Sequence, residues 1–265
     1  MNEAQCFLVS YSLYFLFGLL VLTVAAAFLF YKLKWLTLGG TITAFFVGLS
    51  LTITNSFFSI LVFFIVGTLA SKLNRNQKSD IKHSKPRDAV QVLANGGIAM
   101  ILSILSLVLL YFENDFNHEK LVPHLNILGQ LVLISISVSM CDTLGSEIGM
   151  RYSKIAYNPI TFRPMKKGLS GAISWEGFLG GILGTLILCL ISPYYWKGIL
   201  FGGVIGSKID SYLGLFLQAK YEDGEGELTD VPTGKLVSGF RWCTNDMVNF
   251  MSNLITVIIF YFILI

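Results

Sequence analysis

Five acidic residues lie within or beside long apolar stretches of the sequence: Asp142, Glu147, Glu176, Asp210 and Asp246. A carboxylate in such a setting is costly, and it marks a functional site by default when it faces a bundle interior or a polar cavity. Carboxylate oxygens are also ligands that suit Mg²⁺. We therefore predict catalytic roles for Asp142, Glu147, Glu176 and Asp210, with Asp142, Asp210 and Glu176 as magnesium ligands.

Cations and small residues near these acids suit the binding of phosphate. Phosphoryl transfer needs carboxylates for Mg²⁺, cations for the phosphate oxygens and backbone amides that approach closely. Gly168 and Gly171 open a predicted helix, where N–H groups would point at an anion. The predicted phosphate-binding residues are Arg163, Lys166, Lys167, Gly168, Gly171, Asn95, Ser146 and Ser174, and the weaker polar candidates are Asn245, Asn249 and Arg87.

Glycines surround the same acids and have two interpretations. Gly206, Asp210 and Gly214 share one helical face, so the Asp210 carboxylate projects into a groove with little side-chain bulk. Such a groove suits a bound metal or phosphate. Small residues spaced four apart also allow tight helix packing, which we favour for the pairs Gly177–Gly181, Gly180–Gly184 and Gly202–Gly206.

The composition indicates that a bilayer surrounds these residues. Of 265 residues, 54% are hydrophobic and only 13% are charged, whereas about 25% are charged in a soluble domain. A membrane span needs about 20 mainly apolar residues. We predict an all-α fold, a polytopic transmembrane bundle of about eight spans (7–9) that forms one domain over residues 1–265. The spans are Phe7–Tyr31, Trp35–Ile53, Phe57–Ala70, Val90–Phe112, Ile127–Cys141, Leu169–Ile191, Trp196–Leu217 and Val248–Ile265.

The distribution of Lys and Arg selects one orientation in the membrane. Apart from Lys120, Lys197 and Lys208, the 19 basic residues fall in loops that alternation places on one side. By the positive-inside rule that side is cytosolic. The predicted cytosolic loops are residues 71–89, 145–168 and 218–246, together with the turn around 32–34. Both termini are then non-cytosolic, and all five acids lie near the cytosolic face.

The cysteines, the first apolar run and the absence of known motifs argue against several classes of protein and site. The cysteines show no CxxC spacing, so we expect neither a disulfide framework nor a zinc site, and no basic amphipathic segment suggests a nucleic acid partner. The first apolar run is longer than the core of a signal peptide and starts beside Glu3, so an uncleaved span is expected. No Walker GxxxxGK[ST] motif occurs. The acidic, glycine-containing loop at 218–230 is predicted to be flexible.

The chain resembles a known family, the transmembrane protein nineteen group, which shares a domain with a plant phytyl-phosphate kinase. The resemblance rests on residues 87–97, 142–149, 161–177 and 206–214, and the run DTxxSEIG from Asp142 to Gly149 is its most specific part. Where relatives often read Pro-basic-Gly-Thr, this chain has Lys166-Lys167-Gly168-Leu169.

The resemblance implies a kinase dependent on CTP or another NTP. Such an enzyme would convert an isoprenyl monophosphate, phytyl or farnesyl, to its diphosphate at the cytosolic membrane face, with Mg²⁺ and with CTP or ATP as donor. In this mechanism Asp142 and Asp210 hold Mg²⁺ while Arg163 and Lys167 hold the acceptor.

Three alternatives remain open from the sequence. Acids at helix ends would also serve a transporter or flippase for an anionic lipid or small anion. A cytidylyltransferase that makes a CDP-lipid would use similar metal and phosphate groups. A purely structural bundle is the third. For the enzyme we expect a multi-pass protein of the endoplasmic reticulum membrane by default, with another endomembrane or the plastid envelope as alternatives.

Overall fold

The computed structural model describes residues 3–74, 85–111 and 118–265. These ranges contain eight α-helices in the order that the apolar stretches predict, which confirms a mainly helical chain. The helices are α1 (Glu3–Lys32), α2 (Leu38–Ser50), α3 (Phe57–Asn74), α4 (Ala89–Tyr111), α5 (His118–Tyr152), α6 (Trp175–Ile191), α7 (Trp196–Phe216) and α8 (Asn245–Leu264).

Five stretches within the described ranges are long and apolar enough to cross a membrane: Tyr14–Lys32, Ala89–Tyr111, Leu121–Tyr152, Pro193–Phe216 and Asn245–Leu264. The apolar helices Leu38–Ser50, Phe57–Leu73 and Trp175–Ile191 are shorter. A helix rises about 1.5 Å per residue, so these three fall short of a core about 30 Å thick unless the bilayer thins. The count of eight spans and the non-cytosolic termini therefore stay predictions.

Helix α5 lies at the centre of the bundle, packed against α3, α4, α6, α7 and α8. Its residues Val132, Ile136 and Met140 are fully buried. The predicted span ended at Cys141, but the helix continues to Tyr152. The reason is packing: Gly145 and Gly149 face Gly177 of α6, so the neighbouring helix supports this glycine-rich turn. Asp142 and Glu147 consequently lie inside a helix rather than at its end.

Three helices begin at hydroxyl caps. Thr37 accepts from the Gly40 N–H at the start of α2, Ser174 from the Gly177 N–H at α6, and Thr244 from the Met247 N–H at α8. Such a cap stabilises a helix by about 1 kcal/mol. The prediction that α6 starts at Leu169 was wrong, because Gly168 and Gly171 both have φ +83°, which a helix cannot contain.

The all-α prediction omitted five short strands in the described loops. The pair β1 (Ala156–Tyr157) and β2 (Pro164–Met165) is antiparallel. The strands β3 (Lys220–Glu222), β4 (Leu228–Thr229) and β5 (Lys235–Ser238) form a three-stranded sheet in the order β4-β3-β5. Polar composition suggested a flexible loop here, yet local turn chemistry folds it.

The turn between β3 and β4 shows this local chemistry. Asp223 Oδ1 accepts the backbone N–H groups of Glu225 at 3.0 Å and Glu227 at 2.9 Å. These two bonds hold the pKa of the Asp223 carboxyl below its usual range. Gly226, with φ +79°, supplies the left-handed residue that the turn requires.

Candidate active site

Asp142 and Asp210 meet because α5 and α7 run side by side in register. Ile134 of α5 faces Gly202 of α7, where an added Cβ would lie 2.7 Å from Ile134 Cγ2, and Val138 faces Gly206 in the same way. The next residue on each stripe is four positions further along, which is Asp142 on α5 and Asp210 on α7. The two glycines thus bring the carboxylates together.

We call these two residues the acid pair. The negative charge of Asp142 acts on Asp210 directly. Among the described residues, neither carboxylate has a Lys, Arg or His within ion-pair distance. Two like charges at this depth are costly unless a cation binds between them or a proton is shared.

Helix α8 supplies polar partners to the acid pair. Ser252 Oγ donates to Asp210 Oδ2 at 2.9 Å. In the amide orientation that satisfies both its atoms, Asn249 donates to the same oxygen at 3.1 Å and to the Asn245 carbonyl at 3.2 Å. The sequence singled out Asn245 and Asn249, and the structure brings Asn249 to Asp210, whereas Asn245 contacts Asn249 through its backbone carbonyl. Sequence reasoning missed Ser252, although a serine in an apolar span is itself a signal.

A buried polar network connects α4, α5 and α8 beside this site. Ser135 Oγ donates to Asn253 Oδ1 at 2.9 Å, and Asn253 Nδ2 donates to Ser139 Oγ at 3.1 Å. Ser139 Oγ in turn donates to the Asn95 carbonyl at 2.9 Å. The predicted phosphate ligand Asn95 therefore contacts the network through its backbone, while its amide donates to Gln91 of its own helix. Alternating serines on α5 were the missed signal.

Glu147 lies in a different environment from the acid pair. It is only 4% exposed, and Ser71 Oγ donates to Glu147 Oε1 at 2.5 Å. The guanidinium of Arg87 interacts electrostatically with the same carboxylate, and it lies over the ring of Phe64 at 5.5 Å. Burial lowers the pKa of Arg87, and Glu147 raises it. Glu147 therefore lies within electrostatic range of Arg87 and hydrogen-bonded to Ser71, outside the acid pair.

The predicted phosphate clamps lie on the segment between α5 and α6, and two of them have protein partners. Lys166 Nζ lies 3.2 Å from Glu227 Oε2 in an exposed ion pair. Lys167 Nζ donates to the Ser153 carbonyl at 2.9 Å, at the C-terminal end of α5 where a cation is favourable. Arg163 is exposed.

The glycine turn at 168–171 docks on the end of α7. The Ser170 N–H donates to Asp230 Oδ2 at 3.0 Å, and Ser170 Oγ donates to the Gly214 carbonyl at 3.0 Å. An added Cβ on Gly171 would lie 2.6 Å from the Leu215 amide nitrogen. These contacts join the turn to the protein, and α6 begins only at Trp175. The turn is therefore not a free helix N-terminus.

Lys220 completes this docking. Its Nζ donates to the carbonyls of Gly214 at 2.7 Å and Leu215 at 2.8 Å. Burial lowers the pKa of Lys220, whereas the nearby Asp230 carboxylate raises it. The charge therefore stabilises the last carbonyls of α7.

The remaining predicted residues lie around the periphery. Ser146 is exposed and donates to the Thr143 carbonyl at 3.0 Å, and Ser174 is engaged as the cap of α6. Glu176 lies in the first turn of α6, where the helix dipole favours a negative charge. Within the described ranges no group of three or more His, Cys, Asp or Glu side chains could hold a metal ion, so Glu176 does not extend the acid pair into a three-carboxylate cluster.

The acid pair nevertheless fits Mg²⁺. This ion is commonly held by one or two carboxylates plus substrate phosphates and waters, rather than by an all-protein cage. Two facing carboxylates with a hydroxyl and an amide on Asp210 provide oxygen ligands and the supporting hydrogen bonds that orient them. Asp142 and Asp210 are therefore the residues that would hold the ion.

The helices and the family assignment define a multi-pass integral membrane protein. The family described as integral membrane protein DUF92 matches residues 21–257, and the chain belongs to it. No solved structure shows a significant match.

Two relatives from Arabidopsis thaliana are similar over most of the chain. Protein PGR is 28% identical over 258 residues, which covers 87% of this chain and 89% of PGR. The chloroplastic protein VTE6 is 26% identical over 245 residues, which covers 88% of this chain and 61% of VTE6. The match thus spans less than two thirds of VTE6. A membrane protein of Methanocaldococcus jannaschii, MJ0933, is 29% identical over 168 residues, or 61% of this chain and 64% of that protein.

Proposed function

We propose that this protein is a membrane-embedded prenyl-phosphate kinase that transfers the γ-phosphoryl group of CTP or ATP to an isoprenyl monophosphate. The acid pair is the observation that supports this most directly, because it supplies two hard oxygen ligands at one point inside a membrane bundle. The resemblance to the transmembrane protein nineteen family and to a plant phytyl-phosphate kinase supplies the reaction class. The endoplasmic reticulum is the proposed compartment.

The proposed chemistry asks little of the protein beyond position and charge. A terminal oxygen of the acceptor monophosphate attacks the γ-phosphorus, the bond from that phosphorus to the β,γ-bridging oxygen breaks, and the nucleoside diphosphate leaves. The acceptor is already an anion near neutral pH, so no strong general base is required. When bound, Mg²⁺ would neutralise charge on the nucleotide phosphates.

Each described residue near the pair then has a defined task. Asp142 and Asp210 hold the nucleotide end through the ion, and Ser252 with Asn249 fixes the orientation of the Asp210 carboxylate. Arg163, which is exposed, remains a candidate for contact with phosphate oxygens.

The test is transfer of label from γ-³²P-CTP or γ-³²P-ATP to farnesyl or phytyl monophosphate by the purified protein in detergent. We expect labelled prenyl diphosphate, and its loss in Asp142→Asn. The matched control is Glu225→Gln, which changes an exposed carboxylate on the β3–β4 turn and should leave transfer intact. Absence of product with either nucleotide, from protein shown to be folded, contradicts the proposal.

The same assay separates the other enzymatic candidate. A cytidylyltransferase would release the label as pyrophosphate and leave the lipid unlabelled when γ-³²P-CTP is supplied. Label in the lipid therefore supports a kinase, and label confined to pyrophosphate with a CDP-lipid product contradicts it.

A further inference from the structure

Helices α1 to α4 border a second feature, an apolar cleft with a cavity volume of about 70 Å³ that is partly open to the surroundings. We call it the α1–α4 cleft. Small residues on α1 and α2 make room for it, among them Ala26, Ala27 and Ala44, and aromatic rings of α1 and α3 form its walls. Its lining includes Phe30, Val47, Gly48, Phe57, Ile60, Leu61, Phe63 and Phe64.

The polar residues of the cleft lie along α4 and its N-terminal approach. Arg87, Gln91 and Asn95 all line it, and their spacing of four residues places them on one side. The Arg87 backbone is fixed, because its N–H donates to the Trp35 carbonyl at 3.0 Å and its carbonyl accepts from the Thr37 N–H at 3.0 Å. The guanidinium is therefore held at the α4 N-terminal end of the cleft.

Arg87 has capacity for a second anion. A guanidinium carries five N–H donors in a rigid fork, more than one carboxylate can use. Glu147 faces it, and the rings of Phe63 and Phe64 lie 5.9 Å and 5.5 Å from its central carbon. An arginine that is packed on aromatic rings suits bidentate binding of a phosphate.

The polar end of the cleft contacts α5 at the residue that follows Asp142 in the chain. A Cβ added at Gly67 would meet both Arg87 Nη2 at 3.3 Å and Thr143 Cγ2 at 3.2 Å, so the guanidinium lies beside the residue that follows Asp142. On the same side, the Asn95 carbonyl is bonded to Ser139 of the buried network. A molecule with an apolar chain in the cleft would present its headgroup to α5 near Thr143, one residue along the helix from Asp142.

We propose that the α1–α4 cleft binds the isoprenyl chain of the acceptor, with its phosphate on Arg87. The proposal rests on the proposed function for the identity of the acceptor. The apolar walls match the chain, the guanidinium matches the phosphate, and their arrangement delivers the phosphate toward Asp142. Chain length is then selected in the cleft, apart from the transfer site.

Photolabelling tests the location directly. A farnesyl monophosphate analogue carrying a diazirine on its terminal isoprene unit should label residues of α1, α2 or α3 that line the cleft. Excess farnesyl monophosphate should suppress this labelling, and phosphatidylcholine should not. Equal displacement by phosphatidylcholine would identify a structural lipid groove and overturn the proposal, as would labelling confined to other helices.

A matched pair of substitutions tests the shape of the cleft. Ala26→Phe fills it, whereas Ala25→Phe places the same ring on the neighbouring exposed position of α1. We expect Ala26→Phe to weaken binding of farnesyl monophosphate at least tenfold and to leave dimethylallyl monophosphate unchanged. Ala25→Phe should change neither. Equal losses for both chain lengths, or equal effects of both substitutions, contradict the proposal.

The two proposals fail in different ways. Specific photolabelling of the cleft without phosphoryl transfer to any prenyl monophosphate would refute the kinase and retain the cleft as a prenyl-phosphate site. Phosphoryl transfer that Ala26→Phe leaves unchanged for farnesyl monophosphate, with label elsewhere, would refute the cleft and retain the kinase.

Discussion

The acid pair and the docked loops, residues 153–174 with the sheet β3–β5, contain opposite charge arrangements. In the docked loops three lysines have partners: Lys166 pairs with Glu227, and Lys167 and Lys220 bind helix-end carbonyls. In the acid pair two carboxylates face each other, with hydrogen bonds to Asp210 but no cation among the described residues. Charge that is matched internally stabilises structure, whereas buried like charge requires a ligand or a proton.

The comparison also bears on the prediction of where phosphate binds. The cations and glycines of the docked loops looked like the phosphate site in the sequence. Much of their hydrogen-bonding capacity is used to join the loops to α5 and α7. The acid pair, on α5 and α7 inside the bundle, has no such internal partners for its charge in the part of the chain that the structure describes. The sequence singled out these two helices mainly through their carboxylates.

The strongest test of this comparison is removal of the acid pair. Asp142→Asn and Asp210→Asn should each reduce phosphoryl transfer by about a hundredfold or more, since a metal clamp contributes several kcal/mol. Residues that act as a unit are non-additive, so the double variant should be hardly worse than either single variant. Glu176→Gln, outside the pair, is the comparison. If Glu176→Gln reduced phosphoryl transfer as much as Asp142→Asn does, Glu176 would belong to the same catalytic unit as the acid pair.

Metal binding to the pair should appear in stability as well as in activity. At saturating Mg²⁺ the detergent-solubilised protein should gain about 2 to 3 kcal/mol of unfolding free energy, as expected for a ligand near 100 times its Kd. Thermal unfolding with Mg²⁺ and with EDTA measures this difference. The gain should vanish in Asp142→Asn, and a gain retained in that variant would place the ion elsewhere.

The hydroxyl partner of Asp210 should have an intermediate effect. Ser252→Ala removes the 2.9 Å hydrogen bond to the carboxylate, and loss of such a supporting contact typically costs about 10- to 100-fold in activity or metal affinity. Kinetic titration with Mg²⁺ should show a raised requirement for the ion. Ser106→Ala is the control, because Ser106 is buried but donates only to Leu102 of its own helix. If Ser252→Ala and Ser106→Ala reduced activity equally, the cause would be general destabilisation of the protein.

The smallest effect should come from the docked loops. Lys167→Met removes the bond to the Ser153 carbonyl and should lower stability by about 0.5 to 1 kcal/mol, the usual size for a cation at a helix end. The KM for nucleotide and acceptor should not change. Lys166→Met breaks only an exposed ion pair and should be nearly neutral. A large rise in KM with Lys167→Met would indicate that this lysine binds phosphate, as the sequence predicted.

The sequence by itself determined the membrane class, the order of the eight helices and the short list of acids. Composition and the length of apolar runs are local properties of the sequence. They therefore predict membrane helices without any knowledge of which helices are in contact. Composition averaged over a long stretch does not reveal the short strands or the start of α6 at Trp175. Those features depend on single turns, such as the Asx bonds of Asp223 and the left-handed Gly168 and Gly171.

Only the tertiary structure decided which acids share a site. Gly202 and Gly206 set the register of α7 against α5, and that register carries Asp210 to Asp142. Helix packing likewise brings Glu147 within electrostatic range of Arg87 and leaves Glu176 at the start of α6. A carboxylate looks the same in sequence whether it meets a cation or another carboxylate, because the partner comes from a distant helix whose rotation and register no local pattern specifies.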